Sequence, residues 1–258
     1  MQTGAITGYF DVAQVVLYAF WIFFAGLIFY LVRENKREGY PLVTERKGEV
    51  IPGFPVPPPA KAFIMHDGHK FLAPRPREYD EEHVAGRHTA SWYGAPLVPT
   101  GNPLVDGLGP AAWAQNRSDK PDVTFDDELP KVVPLRNHQM FWIATEDPNP
   151  EGMTVYGHDG KLAGTVVDSW VDRSEVVIRY FEVELADGSG RVLLPQHYAR
   201  INRKTRQIKV GAITAAQFHE VPRLRDSDTV TILEEEKLVA YFGGGFLYST
   251  PQRSEPMI

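Results

Sequence analysis

The chain contains no cysteine, so disulfide bonds, thiolate metal ligands and a cysteine nucleophile are excluded. It has no excess of basic residues either, because 27 lysines and arginines face 33 acidic residues. A general nucleic-acid-binding protein needs a basic surface to neutralise phosphates, and this balance argues against that class. The sequence has no phosphate-binding loop, Gly-x-Ser-x-Gly elbow or His-Glu-x-x-His motif. We therefore predict no catalytic residues, and the spacing of the eight histidines indicates no metal site.

Charge is almost absent from the N-terminus, where Asp11 is the one charged residue among the first 32. Residues 12–32 form an uncharged run of 21, of which 19 are apolar. As a helix, this run would be roughly 31 Å long, close to the thickness of a bilayer's hydrocarbon core. A buried core helix would show a polar stripe, and a cleaved signal peptide would begin with basic residues and have a shorter apolar run. We therefore expect an uncleaved transmembrane helix.

Basic residues follow this span and none precedes it. Arg33, Lys36 and Arg37 come directly after it, and Tyr30 and Tyr40 are candidate anchors at the membrane interface beside them. The positive-inside rule places residues 1–11 on the far side of the membrane and the large C-terminal part in the cytoplasm.

The next segment, residues 33–134, is expected to be extended. Between positions 41 and 134 there are 15 prolines and 8 glycines in 94 residues, about twice the usual share. Such a composition is typical of a flexible linker, but the segment also carries many large apolar side chains. We therefore expect it to lie against another surface rather than in solvent.

Residues 135–258 are predicted to form a mainly β domain with a C-terminal helix. Short runs rich in valine, isoleucine and tyrosine, separated by turn signals, lie at 153–156, 162–171, 176–185, 191–194 and 207–210. They favour a small antiparallel meander or barrel. Thr231 and Glu234 have the spacing of a capping box before a helix at about 233–248. The glycines at 243–245 indicate a break in that helix or a close packing contact.

One group of charged residues in this domain stands out. Regular alternation in the strand from Val176 would place Arg179 in the apolar row, with Asp172 and Glu175 in the turn before it. A guanidinium there needs carboxylate partners. From the residues alone, the group is either a structural ion pair at the end of a hairpin or a cluster that handles protons.

A second charged group, at 200–209, is basic and contains Arg200, Arg203, Lys204, Arg206 and Lys209. Such a cluster usually belongs to a solvated hairpin. If it faced an anionic membrane surface, each charge would contribute about 1 kcal/mol to binding.

Several segments of the chain are long and unusual. They are YLVRENKREGYPL at 30–42, GAPLVPTGNPLVDGLGPAAWAQ at 94–115, LPKVVPLR at 129–136, AGTVVDSWVDRSE at 163–175 and LEEEKLVAYFGGGFLYSTP at 233–251. These segments resemble the H subunit of the photosynthetic reaction centre of purple bacteria. Together they run over nearly the whole chain. The resemblance implies one transmembrane helix, an extended middle region and a cytoplasmic PRC-type β-barrel domain.

The resemblance also implies a function. The subunit would bind no pigment itself, would cap and stabilise the L and M subunits on the side of the quinones, and would help protons reach the secondary quinone. Asp172, Glu175 and Arg179 fall on positions that the family uses near its proton path. Some members carry surface histidines just before the LPKVVPLR-like segment. Here the residues 126–128, which are Asp126, Asp127 and Glu128, are the candidate point of proton uptake instead.

Cofactors and partners follow from the same resemblance. Bacteriochlorophyll, bacteriopheophytin, quinones and iron are expected in the partner subunits, and a cytochrome subunit, an antenna ring and membrane lipids are further expected neighbours. The implied location is the bacterial inner, intracytoplasmic membrane, with a periplasmic N-terminus. Two alternatives stay open: a membrane-anchored PRC-barrel adaptor, and a membrane-anchored hydrolase that uses a carboxylate pair such as Asp168 and Asp172.

Overall fold

The computed structural model describes residues 11–40, 42–44, 50–51, 53–74, 84–92, 94–138 and 140–254. The expected periplasmic segment 1–11 lies outside these ranges except for Asp11. The chain divides into two compact units, residues 1–82 and 83–258. Each unit is described by itself.

The first unit is dominated by helix α1, Val12–Glu34. Its N-terminus is closed by a capping box, in which the Asp11 side chain accepts from the backbone of Gln14 at 2.7 Å and the Gln14 side chain accepts from the backbone of Asp11. Every side chain from position 12 to position 33 is exposed. Within the described residues, α1 is the one helix long and apolar enough to cross a membrane. The predicted span thus forms a helix with the length and composition needed to cross a membrane. The helix continues two residues beyond position 32.

Two cations after α1 hold the proline-rich segment against the end of the helix. Lys36 donates to the carbonyl of Pro55 at 2.8 Å, and Arg37 donates to the carbonyls of Pro59 and Ala73, each at 2.9 Å. Arg37 is also paired with Glu34 at 2.7 Å.

Three short hairpins account for β1 to β6: Leu42–Val43 with Val50–Ile51, Lys61–Ile64 with Lys70–Ala73, and, in the second unit, Gly86–His88 with Leu97–Pro99.

The second unit is built on a curled sheet of seven strands. The strands are β7 Val132–Pro134, β8 Thr154–Tyr156, β9 Leu162–Asp172, β10 Val177–Leu185, β11 Arg191–Pro195, β12 Ala199–Asn202 and β13 Gln207–Val210. They follow the order β11-β10-β9-β8-β13-β12, and β7 pairs with β9. All pairings are antiparallel except that of β8 with β13, which is parallel. The predicted mainly β domain is confirmed, with two strands, β7 and β12, that the sequence pattern did not reveal.

A β-bulge in β10 makes one sequence prediction wrong. Ile178 pairs with Val171 and Tyr180 pairs with Trp170, so Arg179 is the extra residue between them. Arg179 is therefore exposed, and it does not lie in the apolar row that regular alternation predicts. After the bulge four consecutive residues, from position 180 to position 183, are buried.

Helix α2, Ile232–Tyr248, begins at the predicted capping box. The Thr231 hydroxyl accepts from the Glu234 backbone, and the Glu234 carboxylate accepts from the Thr231 backbone. The glycines at 243–245 do not break the helix. A Cβ at Gly244 would lie 2.5 Å from the Cβ of Ala111, so the second interpretation of this run, close packing, is confirmed.

We expect Gly244→Ala to destabilise the second unit, because the added methyl group has no room beside Ala111. The expected loss is about 1–3 kcal/mol, although alanine is intrinsically the better helix former. The matched control is Gly243→Ala, whose Cβ would meet only the Tyr198 hydroxyl at 3.2 Å and the Pro110 carbonyl at 3.7 Å. Urea unfolding of the full chain in detergent, followed by near-ultraviolet circular dichroism, measures both. Equal stability of the two variants would contradict this packing.

Candidate functional site

Asp172 ends β9 and is almost fully buried, with 1% of its surface exposed. Its Oδ1 accepts from the backbone N–H groups of Ser174 and Glu175 at 2.9 and 3.1 Å, which fixes the turn into β10. Lys131 Nζ lies 3.6 Å from Oδ2. Oδ2 has no hydrogen-bond partner among the described residues. The sheet thus buries a carboxylate whose charge is balanced by a single lysine.

The other two residues of the predicted group do not join Asp172 in an ion pair. Glu175 is exposed in the turn and Arg179 is exposed on the bulge. Within the described part of the chain, no ion pair connects Arg179 with Asp172 or Glu175. The positive charge of Arg179 acts instead on Glu235 and His197. It counteracts part of the rise that burial causes in the pKa of Glu235, and it adds to the effect of burial in lowering the pKa of His197.

Glu235 is the acidic group that the sequence analysis missed. It lies in the first turn of α2, half-buried, and its Oε1 accepts from the hydroxyl of Tyr180 at 2.7 Å. Burial raises the pKa of Glu235, the hydrogen bond from Tyr180 and the charge of Arg179 counteract part of that rise, and the charges of Asp122 and Asp172 add to it. We call Asp122, Asp172 and Glu235 the acidic cluster.

Lys131 connects two members of the acidic cluster. Its Nζ lies 3.9 Å from Asp122 and 3.6 Å from Asp172, and its backbone N–H donates to the carbonyl of Asp122 at 2.8 Å.

A signal for Glu235 did exist in the sequence. Three glutamates follow each other at the start of α2, and successive helical residues point about 100° apart, so they cannot all face the same way. Glu234 caps the helix and Glu236 pairs with Arg117 at 3.3 Å, which leaves Glu235 directed towards Tyr180.

The three residues proposed for proton uptake lie in an exposed loop next to this site. Asp127 is paired with Arg173 and also accepts from the Thr124 hydroxyl and the Leu129 backbone. These bonds, with Arg173 as the largest influence, hold the pKa of Asp127 well below its usual range. Asp127 is therefore ionised at neutral pH and organises the loop.

Arg173 also joins this loop to the acidic cluster. Its backbone N–H donates to the carbonyl of Lys131 at 2.8 Å, and its side chain donates to the carbonyl of Pro130 at 3.2 Å. Asp126 and Glu128, in the same loop as Asp127, are exposed.

Large apolar side chains are exposed on this loop and on the turn that Arg173 connects to it. Phe125 is 91% exposed and Leu129 is 52% exposed, while Val176 at the end of the turn and Val177 at the start of β10 are also exposed. We call these four residues the apolar rim. Isolated exposed apolar residues are ordinary, but several on two adjoining loops are typical of an interaction surface.

A second polar cluster lies farther along β10 and is more fully neutralised. Glu182, 5% exposed, accepts from Arg136, from Arg191 at 3.1 Å and from the indole N–H of Trp170 at 3.1 Å. Arg136 also pairs with Asp168 at 2.9 Å and with Asp228 at 2.9 Å, and it lowers the pKa of Asp228. Every carboxylate here has a strong cationic partner, so the cluster has the character of a structural brace.

This arrangement separates the two carboxylates of the hydrolase alternative. Asp168 is paired with Arg136, whereas Asp172 lies four residues further along β9 beside Lys131. Four residues of strand span roughly 13 Å, more than the ~5–9.5 Å that carboxylate-pair hydrolysis uses. The described residues also contain no group of three or more potential ligands placed to hold a metal ion.

Comparison with protein families decides the identity of the chain. Residues 4–137, just over half of the 258, match the model of the N-terminal region of the photosynthetic reaction centre H chain. The chain belongs to the reaction centre H-chain family. Residues 145–217 match the PRC-barrel domain, which covers β8 to β13. The resemblance noted in the sequence is thus confirmed, and the H chain is a non-catalytic, membrane-associated component of the reaction-centre complex.

In this H chain, the raised pKa of Glu235 predicts a pH-dependent stability. Because the pKa is raised above the unfolded value near 4.5, the contribution of Glu235 to the free energy of unfolding is fully present below about pH 4.5. It is lost as the pH rises through the folded-state pKa. Unfolding free energies measured in urea should therefore fall for the wild type relative to Glu235→Gln from about pH 4.5 towards neutrality.

A matched control for this experiment is Glu236→Gln, which changes the neighbouring residue of α2, whose partner is Arg117 and not Tyr180. The wild type and this control should also retain an infrared band of a protonated carboxyl group above pH 4.5, and Glu235→Gln should lose it. A difference in stability that does not change with pH would show that Glu235 titrates normally.

Proposed function

We propose that this H chain caps the L and M subunits of the reaction centre on the cytoplasmic side and assists the delivery of protons to the secondary quinone. The acidic cluster is the observation that carries the proposal. It combines a buried aspartate with a half-buried glutamate whose pKa is raised. It also adjoins an exposed acidic loop and the apolar rim.

The proposed topology assigns one role to each part of the chain. Residues 1–11 are periplasmic, residues 12–32 cross the bacterial inner membrane, and residues 33–134 extend along the surface of the partner subunits. Residues 135–258 form the cytoplasmic cap. The exposed apolar surface of α1 supports the membrane span. The basic residues Arg33, Lys36 and Arg37 after it support the orientation.

The apolar rim supports the capping role. Phe125 and Val176 are too exposed to stabilise this chain, and burying them against a partner would contribute about 25 cal/mol per Å² of apolar surface. Bacteriochlorophyll, bacteriopheophytin, quinones and iron reside in the L and M subunits under this proposal. A cytochrome subunit and an antenna ring would be neighbours of the whole assembly.

The chemistry of the quinone explains why a cap needs carboxyl groups. A quinone that accepts two electrons also takes up two protons, and a cap that excludes water must supply a path for them. An ordinary carboxyl group with a pKa near 4 is protonated only about 0.1% of the time at pH 7. Glu235 holds a proton more readily, so it is suited to store one between the exposed loop and the partner subunits.

Within this route the predicted residues take distinct parts. Asp126 and Glu128 collect protons at the surface, while Asp127 stays ionised and holds the loop. Glu175, exposed in the turn after Asp172, passes protons towards the partner. Arg179 restrains the pKa of Glu235, so that the stored proton can be released.

The capping role predicts that the full chain, extracted in mild detergent, co-purifies with bacteriochlorophyll-bearing polypeptides. Phe125→Glu combined with Val176→Glu should weaken this association, because two charges would be buried at the interface. The matched control is Leu162→Glu, which changes an exposed residue at the opposite end of β9. A wild-type chain that elutes without pigment would favour the adaptor alternative and contradict the capping role.

The proton-delivery role predicts a kinetic defect in Glu175→Gln. The proton-coupled second electron transfer to the secondary quinone should slow by about tenfold or more, while primary charge separation stays unchanged. Glu184→Gln, at the other exposed end of β10, is the control and should behave like the wild type. Flash-induced absorbance changes between about pH 6 and pH 9 measure both steps. Unaltered kinetics in Glu175→Gln would remove Glu175 from the route.

A further inference from the structure

A cavity of about 630 Å³ lies in the second unit, beside the hairpin of β12 and β13 and the C-terminal half of α2. Its charged and aromatic lining comprises Tyr156, His158, His197, Tyr198, Arg200, Lys209 and Phe246. No acidic residue lines it. The proposed functions of capping and proton delivery do not use this cavity.

Two cations of the lining stand side by side. Arg200 and Lys209 are directly opposite each other in the antiparallel pair of β12 and β13, so their side chains leave the same face of the sheet. Like charges in this position repel each other. Neither residue forms an ion pair with a carboxylate in the part of the chain that the structure describes. The pair therefore costs stability in the free chain, and an anion would relieve that cost.

Arg203 and Arg206 of the same hairpin are engaged elsewhere, and Lys204 is exposed outside the cavity. Arg203 donates to the carbonyl of Glu146 at 3.0 Å, and Arg206 donates to the carbonyl of Glu151 at 2.8 Å. Asp159, in the turn beside the cavity, is also engaged, since its Oδ1 accepts from the backbone of Lys161 and Ala215. Arg200 and Lys209 thus line the cavity without an ion-paired carboxylate among the described residues.

Aromatic rings form another part of the cavity lining, which we call the aromatic wall. The Tyr198 ring lies 4.1 Å from the His197 ring and 5.9 Å from the Phe246 ring, measured between centroids. Desolvation and the charge of Arg179 keep the pKa of His197 below its usual value, so this ring is neutral at pH 7. Such a wall binds a flat or apolar group rather than a second charge.

We propose that this cavity binds a phosphate group that carries an apolar or aromatic substituent. The phosphate accepts from Arg200 and Lys209, and the substituent packs against Tyr198 and Phe246. Guanidinium and ammonium groups are the usual donors to phosphate oxygens in proteins. The same chemistry is offered by an anionic phospholipid headgroup and by a soluble organic phosphate.

Calorimetric titration of the full chain in an uncharged detergent tests this proposal with three probes. Inorganic phosphate carries the anion alone, phenyl phosphate adds an aromatic ring, and dihexanoylphosphatidylglycerol supplies a lipid headgroup. We expect at least one of the two substituted probes to bind more tightly than inorganic phosphate. The tighter of the two identifies the source, a soluble organic phosphate or a phospholipid.

The matched variants are Arg200→Gln with Lys209→Gln, and, as the control, Lys120→Gln with Lys204→Gln. Each pair removes two positive charges, and the control residues are exposed and outside the cavity. The first pair should weaken binding of the preferred probe by about tenfold or more, and the control should leave it nearly unchanged. Equal affinities for all three probes, or an equal loss in both variants, would overturn the proposal.

Discussion

The cost of burying carboxylates governs how the second unit is assembled. Asp172 and Glu182 lie at two points of the same pair of strands, both almost fully buried, and each needs a cation. Lys131 and Arg136 supply those cations, and they stand on either side of β7. The three residues of β7 thus lie between an ionic contact to β9 at one end and ionic contacts to β9 and β10 at the other. Loss of one partner of a buried pair costs about 3–5 kcal/mol.

The two contacts differ in how completely they neutralise charge, and this difference separates structure from function. Glu182 receives two arginines and an indole N–H, so its charge is fully compensated. Asp172 has one cationic partner, Lys131 at 3.6 Å, and its negative charge contributes to the raised pKa of Glu235. The first cluster braces the sheet. The second contains a carboxyl group whose pKa is raised by burial.

Local signals in the sequence predicted the elements, and distant pairings accounted for what was missed. Helix α1 follows from 21 uncharged residues, and the start of α2 follows from the spacing of Thr231 and Glu234. Strand β7 was missed because its three residues follow a proline-rich segment and depend on β9. The bulge at Arg179 was missed because it exists only in the register between β9 and β10. Glu235 acquires its pKa from residues more than 50 positions away.

The bulge also determines the chemistry of the acidic cluster. With regular alternation, Arg179 would lie in the buried row, where its charge would act on nearby carboxylates with little screening by water. A guanidinium in that position would lower the pKa of Glu235 more strongly than the exposed Arg179 does. The bulge instead turns Arg179 to the surface and Tyr180 inwards, so that a neutral hydroxyl contacts Glu235. One additional residue in β10 therefore changes the nearest partner of Glu235 from a permanent charge to a hydrogen-bond donor, and burial then leaves the pKa of the carboxyl group raised.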